Sequence, residues 1–89
     1  MPQVEIPRRY RGPTGGAANV EVSGESVRAC IEAVEARHPG FLELVVDADG
    51  SLHRFVSIFV NDEELPRDAL DIAGAGPDRI SIAAAAAGG

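Results

Sequence analysis

The chain has 89 residues and a mass of 9.3 kDa, the size of one small domain, which buries about 60–65% of its surface and leaves no room for a large enclosed substrate cleft. With 45% hydrophobic and 25% charged residues it has the composition of a folded globular protein rather than a disordered one. A net charge of -6 and a pI near 4.7 argue against a nucleic-acid partner, whose phosphate backbone demands a basic face, and favour a basic protein surface as electrostatic partner.

In chain order, Val4 and Ile6 alternate with Glu5 to predict a first strand, stopped at Pro7. Arg8 to Gly16 contains Gly12, Pro13, Gly15 and Gly16 and reads as a turn, after which Val20 and Val22 flank Glu21 in a second strand. Strands joined this closely predict an antiparallel hairpin. Ser23 is the expected N-cap of a helix running to about His38, with Glu25 and Ser26 in its first turn. Val27, Cys30, Ile31 and Val34 fall at i, i+3, i+4 and i+7, one apolar stripe to pack on a sheet, while Arg28, Glu32 and Glu35 are expected to face water. Pro39-Gly40 ends this helix.

Phe41 to Val46 is an apolar run too short to classify by periodicity, followed by a turn at Asp47-Ala48-Asp49-Gly50. Leu52 to Val60 predicts the longest strand, turning at Asn61-Asp62 into a short return through Glu63, Glu64 and Leu65. Leu70 and Ile72 give a small apolar patch, Gly74 to Asp78 a turn, and Arg79 to Ala83 the last strand, with Ile80 and Ile82 on one face. One helix and four or five strands cover their apolar faces most economically in an α+β arrangement, the helix laid across a single mixed sheet. With the helix between strands two and three, the first and last strands make a central parallel pair, which is the β-grasp arrangement of ubiquitin. The domain is then expected over residues 1–83, with 84–89 as a mobile tail.

That tail is four alanines followed by Gly88-Gly89. A terminal carboxylate is ionised at neutral pH and is a poor acyl acceptor until an outside enzyme activates it with ATP. To reach such an enzyme's catalytic centre the tail must thread a narrow channel, and side chains no larger than a methyl group, as in Ala87 and Gly88, allow it. A featureless Ala/Gly end is the bland alternative; the anchored strand just before it argues against that.

Other candidates weigh less. Cys30 lies on the apolar stripe and reads as a buried structural residue, and a single cysteine with no partner for a disulfide fits a reducing cytoplasm. His38 and His53 lack further ligands at metal spacing and read as surface residues. The Gly12 to Gly16 loop beside three arginines lacks the lysine and following helix of a phosphate-binding loop. Asp62, Glu63 and Glu64 read as a solvated hairpin tip, which could also meet a basic patch on an activating enzyme. If the valine face of the strand points inward, Phe55, Ser57 and Phe59 lie on the open face of the sheet and the two phenylalanines mark a docking surface. All eight basic residues are arginines, so no lysine is present to receive isopeptide-linked copies of the chain; a coding bias explains that equally well. The N-terminus Met-Pro-Gln-Val-Glu-Ile lacks the basic stretch and apolar core of a signal peptide, and no apolar run approaches the ~20 residues of a membrane span.

Through the Gly12-Pro13-Thr14-Gly15-Gly16 loop, the Pro39-Gly40 helix stop, the segment Leu52 to Glu63 and the terminal Ala87-Gly88-Gly89, the sequence resembles the ubiquitin-like sulfur carrier proteins, the ThiS and MoaD group, most closely the CysO-type carriers of cysteine biosynthesis. Plain alanines ahead of the glycines are a departure from the bulkier residues often found there. The resemblance implies a protein co-substrate rather than an enzyme, with no cofactor bound. An E1-like enzyme adenylates Gly89 with ATP, and a sulfur donor such as a sulfurtransferase converts it to a thiocarboxylate. In the CysO-type route the acceptor is an aminoacrylate on a PLP-dependent synthase, and a JAMM-type metalloprotease later releases cysteine. Related carriers feed molybdopterin, thiazole or sulfur-containing natural products. Two other readings share the tail or dispense with it: a protein modifier conjugated through Gly89 to lysines, and a module that works by docking alone.

Overall fold

The computed structural model describes residues 2–71 and 79–84. Within them run β1 (Gln3–Glu5), β2 (Asn19–Glu21), α1 (Val27–Arg37), α2 (Leu42–Val45), β3 (Val56–Val60), β4 (Glu63–Glu64) and β5 (Arg79–Ala84). The strands form one sheet in the order β2-β1-β5-β3-β4; β1 and β5 run parallel, and every other neighbouring pair is antiparallel. This is the β-grasp arrangement, with β5 at the centre. Ile72 and the Gly74 to Asp78 turn lie outside the described residues, as do Ala85 to Gly89 of the tail.

Period-two alternation sets the faces. Val4, Val20, Val56, Ile58, Ile80 and Ile82 are all buried and point to the side covered by α1, whose stripe Val27, Cys30, Ile31 and Val34 is buried against them. Burying each such side chain contributes about 1.5–3 kcal/mol, which stabilises an 11-residue helix too short to persist alone. The β1–β2 hairpin continues past its named strands: Ile6 N–H donates to the Ala18 carbonyl (2.7 Å) and Val22 N–H to the Pro2 carbonyl (3.1 Å). That extra pairing is why Ile6 and Val22 also belong to the core.

Four expectations are corrected. The helix N-cap is Ser26, not Ser23: Ser26 has extended backbone angles and its Oγ accepts from the Ala29 N–H at 3.1 Å. Gly24 explains the later start, because a Cβ there would sit 2.8 Å from the Cys30 nitrogen and 2.9 Å from its Sγ. The chain before Ser26 therefore passes against the first turn instead of forming it. Phe41 to Val46 contains the one-turn helix α2, and Glu35 does not simply face water. Its carboxylate accepts from the Gly40 N–H (3.1 Å) and the Leu42 N–H (2.8 Å), satisfying donors at the start of α2 that would otherwise lack partners.

Arg28 is likewise engaged, pairing with Asp71 at 2.6 Å while its N–H donates to the Leu70 carbonyl, which ties the segment after β4 to the helix. Finally, β3 begins at Val56 rather than Leu52. Leu52 makes an isolated antiparallel bridge to Val46, and Val56 N–H closes a turn onto the His53 carbonyl. The Asn61-Asp62 turn is as expected: both residues have positive φ (51° and 72°), the geometry of a two-residue hairpin whose twist matches its strands.

Candidate functional site at the end of the last strand

The geometry converges on the outgoing end of β5. The strand is paired on both edges up to Ser81, with β1 through Gln3↔Arg79, Val4↔Ile80 and Glu5↔Ser81, and with β3 on the other side. Beyond Ser81 only β3 holds it, through Ile58↔Ile82, Ser57↔Ala83 and Val56↔Ala84. Ile80 and Ile82 are 0% and 5% exposed, so the strand is anchored from below, while Ala83 and Ala84 are paired along one edge only. The strand reaches Ala84, one residue further than the pattern of Ile80 and Ile82 had required. Ala87, Gly88 and Gly89 lie outside the described residues.

The strand faces are settled by burial. Val56 and Ile58 are fully buried, so Ser57 and Phe59 occupy the open side together with Ser81 and Ala83. Phe59 stands across from Ser81 on one side and Glu64 on the other, and small Ser81 leaves its ring half-exposed. Phe55, expected in the same strand, lies instead in the turn entering β3. There it is half-buried, with the Arg54 guanidinium carbon 5.0 Å above its ring and the His53 ring 5.8 Å away.

A residue without any sequence signal fixes that turn. Arg67 donates to the carbonyls of Leu52 (3.1 Å), His53 (2.7 Å) and Val56 (2.8 Å), so one guanidinium fork holds the turn that carries Arg54 and Phe55. Nothing local to Pro66-Arg67 announces this contact, which spans 11 to 15 residues.

The remaining candidates take structural places. Cys30 is fully buried. In the loop after β1, the Gly15, Gly16 and Ala17 N–H groups donate to the Gly12, Arg11 and Thr14 carbonyls, leaving none of the three to cradle a phosphate. His38 and His53 are half-buried, and among the described residues no three His, Cys, Asp or Glu side chains gather as a metal site. Asp62 pairs with Arg79, while Glu63 and Glu64 are exposed. No described helix is long and apolar enough to cross a membrane. A depression of about 890 Å³ opens beside α1 and α2 and includes Glu35, already committed to α2.

The family model for the ThiS family matches residues 4–89. The chain belongs to the ThiS family. Sequence relatives agree with that assignment: this ThiS-family chain is 42% identical over 89 residues to the sulfur carrier protein CysO of Mycobacterium tuberculosis strain H37Rv, a match covering 97% of this chain and 96% of the relative. The crystal structure of M. tuberculosis CysO superposes with a TM-score of 0.87 at 38% identity, covering 97% of this chain and all of that one. CysO in the Amycolatopsis orientalis BexX/CysO complex gives 0.89 at 37%, with full coverage of both chains. The small archaeal modifier protein 1 of Haloferax volcanii shares the fold at 22% identity and a TM-score of 0.75. The ThiS-family chain is thus a homologue of sulfur carrier protein CysO with the ubiquitin-like fold that its strand order predicted.

Proposed function

We propose that this chain is a sulfur carrier whose Gly89 carboxylate is activated and converted to a thiocarboxylate. The observation that carries the proposal is the near full-length match to sulfur carrier protein CysO, joined to a central β5 that holds the preceding residues rigidly. A carboxylate oxygen of Gly89 attacks the α-phosphorus of ATP on an E1-like enzyme and pyrophosphate leaves. A sulfide-level donor then attacks the acyl carbon, AMP departs, and a thiocarboxylate remains. That sulfur is the nucleophile for the acceptor, which in the CysO-type route is an aminoacrylate on a PLP-dependent synthase, followed by metalloprotease release of cysteine. The chain in this scheme is a protein co-substrate working in the cytoplasm, and Gly88 and Ala87 pass through the enzyme's channel. Half-exposed Phe59 and the Arg54-capped ring of Phe55 are the surface by which partners recognise it; a homologue in the BexX/CysO complex meets a partner protein.

The test is intact mass spectrometry after incubation with ATP, the E1-like enzyme from the same genome and a sulfur donor. Exchange of one carboxylate oxygen for sulfur adds about 16 Da, and deletion of Gly89 abolishes the gain. No gain in the full chain, or an equal gain after the deletion, overturns the proposal. Gly89-dependent adducts to lysines of other proteins that survive denaturant favour the modifier reading instead.

A further inference from the structure

One end of this acidic chain's sheet gathers basic residues. Because β1 and β5 are parallel, the loop that follows β1 lies at the same end of the sheet from which β5 departs; because β3 is antiparallel to β5, the segment entering β3 lies there too. Residues 6–18 carry Arg8, Arg9 and Arg11 and no Asp or Glu, and residues 51–57 carry Arg54 and again no Asp or Glu. Four of the eight arginines therefore lie in these two segments, which hold none of the fourteen carboxylates. Arg67 reaches the second segment from beyond β4, and Glu5 adjoins the first.

Several contacts fix this arrangement. Arg11 Nε donates to the Ile6 carbonyl at 3.0 Å, and Arg11 shares a shallow pocket of about 300 Å³ with Ser81 and Ile82 of the outgoing strand. Arg54 is held over Phe55, and Arg8 and Arg9 are exposed on the turn just after Pro7. Glu5, the acidic residue adjoining the loop, is occupied by the Ser81 hydroxyl and lies 3.9 Å from Arg79. At the opposite end of the sheet the β3–β4 turn presents Asp62, Glu63 and Glu64.

We propose that Arg8, Arg9, Arg11 and Arg54 form a basic collar around the tail exit that docks an acidic protein surface at the mouth of the activating enzyme's channel, an inference that rests on the sulfur-carrier reading. A protein surface fits better than the nucleotide. Threaded in extended form, the five residues after Ala84 reach about 17–18 Å, which puts the adenylated carbonyl well beyond an arginine side chain rooted on the collar. The collar meets the rim of the channel, where complementary charge orients the encounter and speeds it. The carboxylates at the far end then disfavour the reverse approach.

The test compares three variants with the wild type, using the E1-like enzyme from the same genome, ATP and a sulfur donor at 50 mM salt. Charge reversal by Arg8→Glu/Arg9→Glu/Arg54→Glu is expected to raise the KM for the carrier about tenfold or more with kcat changed less than about twofold, since rim charges act on encounter rather than chemistry. Arg8→Lys/Arg9→Lys/Arg54→Lys, which keeps the charge, stays within about threefold of wild type, and Glu25→Lys, at an exposed carboxylate just before α1, stays within about twofold. The wild-type KM rises with salt while that of the reversed variant hardly moves. Matching circular dichroism spectra and thermal midpoints confirm that all variants fold. An unchanged KM in the reversed variant overturns the collar while leaving the carrier function intact; a wild-type chain that gains no sulfur overturns both.

Discussion

Arg67→Ala tests how much of the turn beside the tail exit one side chain holds. The guanidinium donates to three carbonyls, at 2.7, 2.8 and 3.1 Å, while within the turn His53 Nδ1 accepts from the Phe55 N–H at 3.3 Å. Each intramolecular hydrogen bond contributes about 0.5–1.5 kcal/mol net, so three give roughly 1.5–4.5 kcal/mol. Arg67 is itself exposed, and water replaces part of what it supplies, which places the expected loss near the lower end, at about 2 kcal/mol. For a domain of this size that lowers Tm by about 8–16 °C. Arg67→Lys keeps the charge but loses the fork, and with one bond recovered it should lose about 1–1.5 kcal/mol. Urea unfolding followed by circular dichroism measures both. A loss below about 0.5 kcal/mol in Arg67→Ala, or equal stability of the lysine variant and wild type, would refute the reasoning, since neither is compatible with a bidentate or tridentate staple. The same variant links stability to function: with the turn loosened, the Arg54–Phe55 stack should lose its fixed place beside β5, visible as line broadening of the Phe55 ring resonances.

Three further outcomes follow from the packing. Gly24→Ala forces a methyl group to within 3 Å of the Cys30 backbone and sulfur, and chemical denaturation should show about 1–3 kcal/mol of destabilisation; a neutral result would mean that the 23–25 segment is not locked against α1. Asp62→Gly relieves a side chain at φ 72° and forfeits an exposed ion pair with Arg79 that is worth little, so thermal unfolding should show a gain of a few tenths to about 1 kcal/mol. Cys30 should react with a thiol reagent only as fast as the protein opens, because its side chain has no exposure; rapid alkylation of the native protein would show that the helix is not seated on the sheet.

Much of the fold was legible because local pattern and tertiary placement agree. The stripe of Val27, Cys30, Ile31 and Val34 leaves only one face for burial, and Asn61-Asp62 between β-rich runs calls for a turn with positive φ. The errors came where a nonlocal contact decides. Ser23 and Ser26 are both acceptable caps in isolation, and the close approach of Gly24 to Cys30 selects the second. Phe55 to Val60 alternates as one strand, yet Arg67, reaching back from beyond β4, fixes the turn at 52–56 so that Phe55 falls outside the ladder. Glu35 carries nothing in its neighbours to foretell that it satisfies α2, which is itself too short for any periodic signal.

By itself, then, the sequence determined the element order, the buried faces, the net charge of -6 and the small residues that end the chain, since each follows from side-chain chemistry at fixed spacing. Tertiary structure alone decided where the grip on the last strand changes: β5 is paired on both edges as far as Ser81 and by β3 alone from there to Ala84. It also brought Arg8, Arg9 and Arg11 to the same end as Arg54, although more than forty positions separate them in the chain. The physical reason is strand direction: a parallel β1–β5 pair and an antiparallel β3–β5 pair place one loop and one turn beside a single exit, and net charge cannot report which end of a sheet its charges occupy.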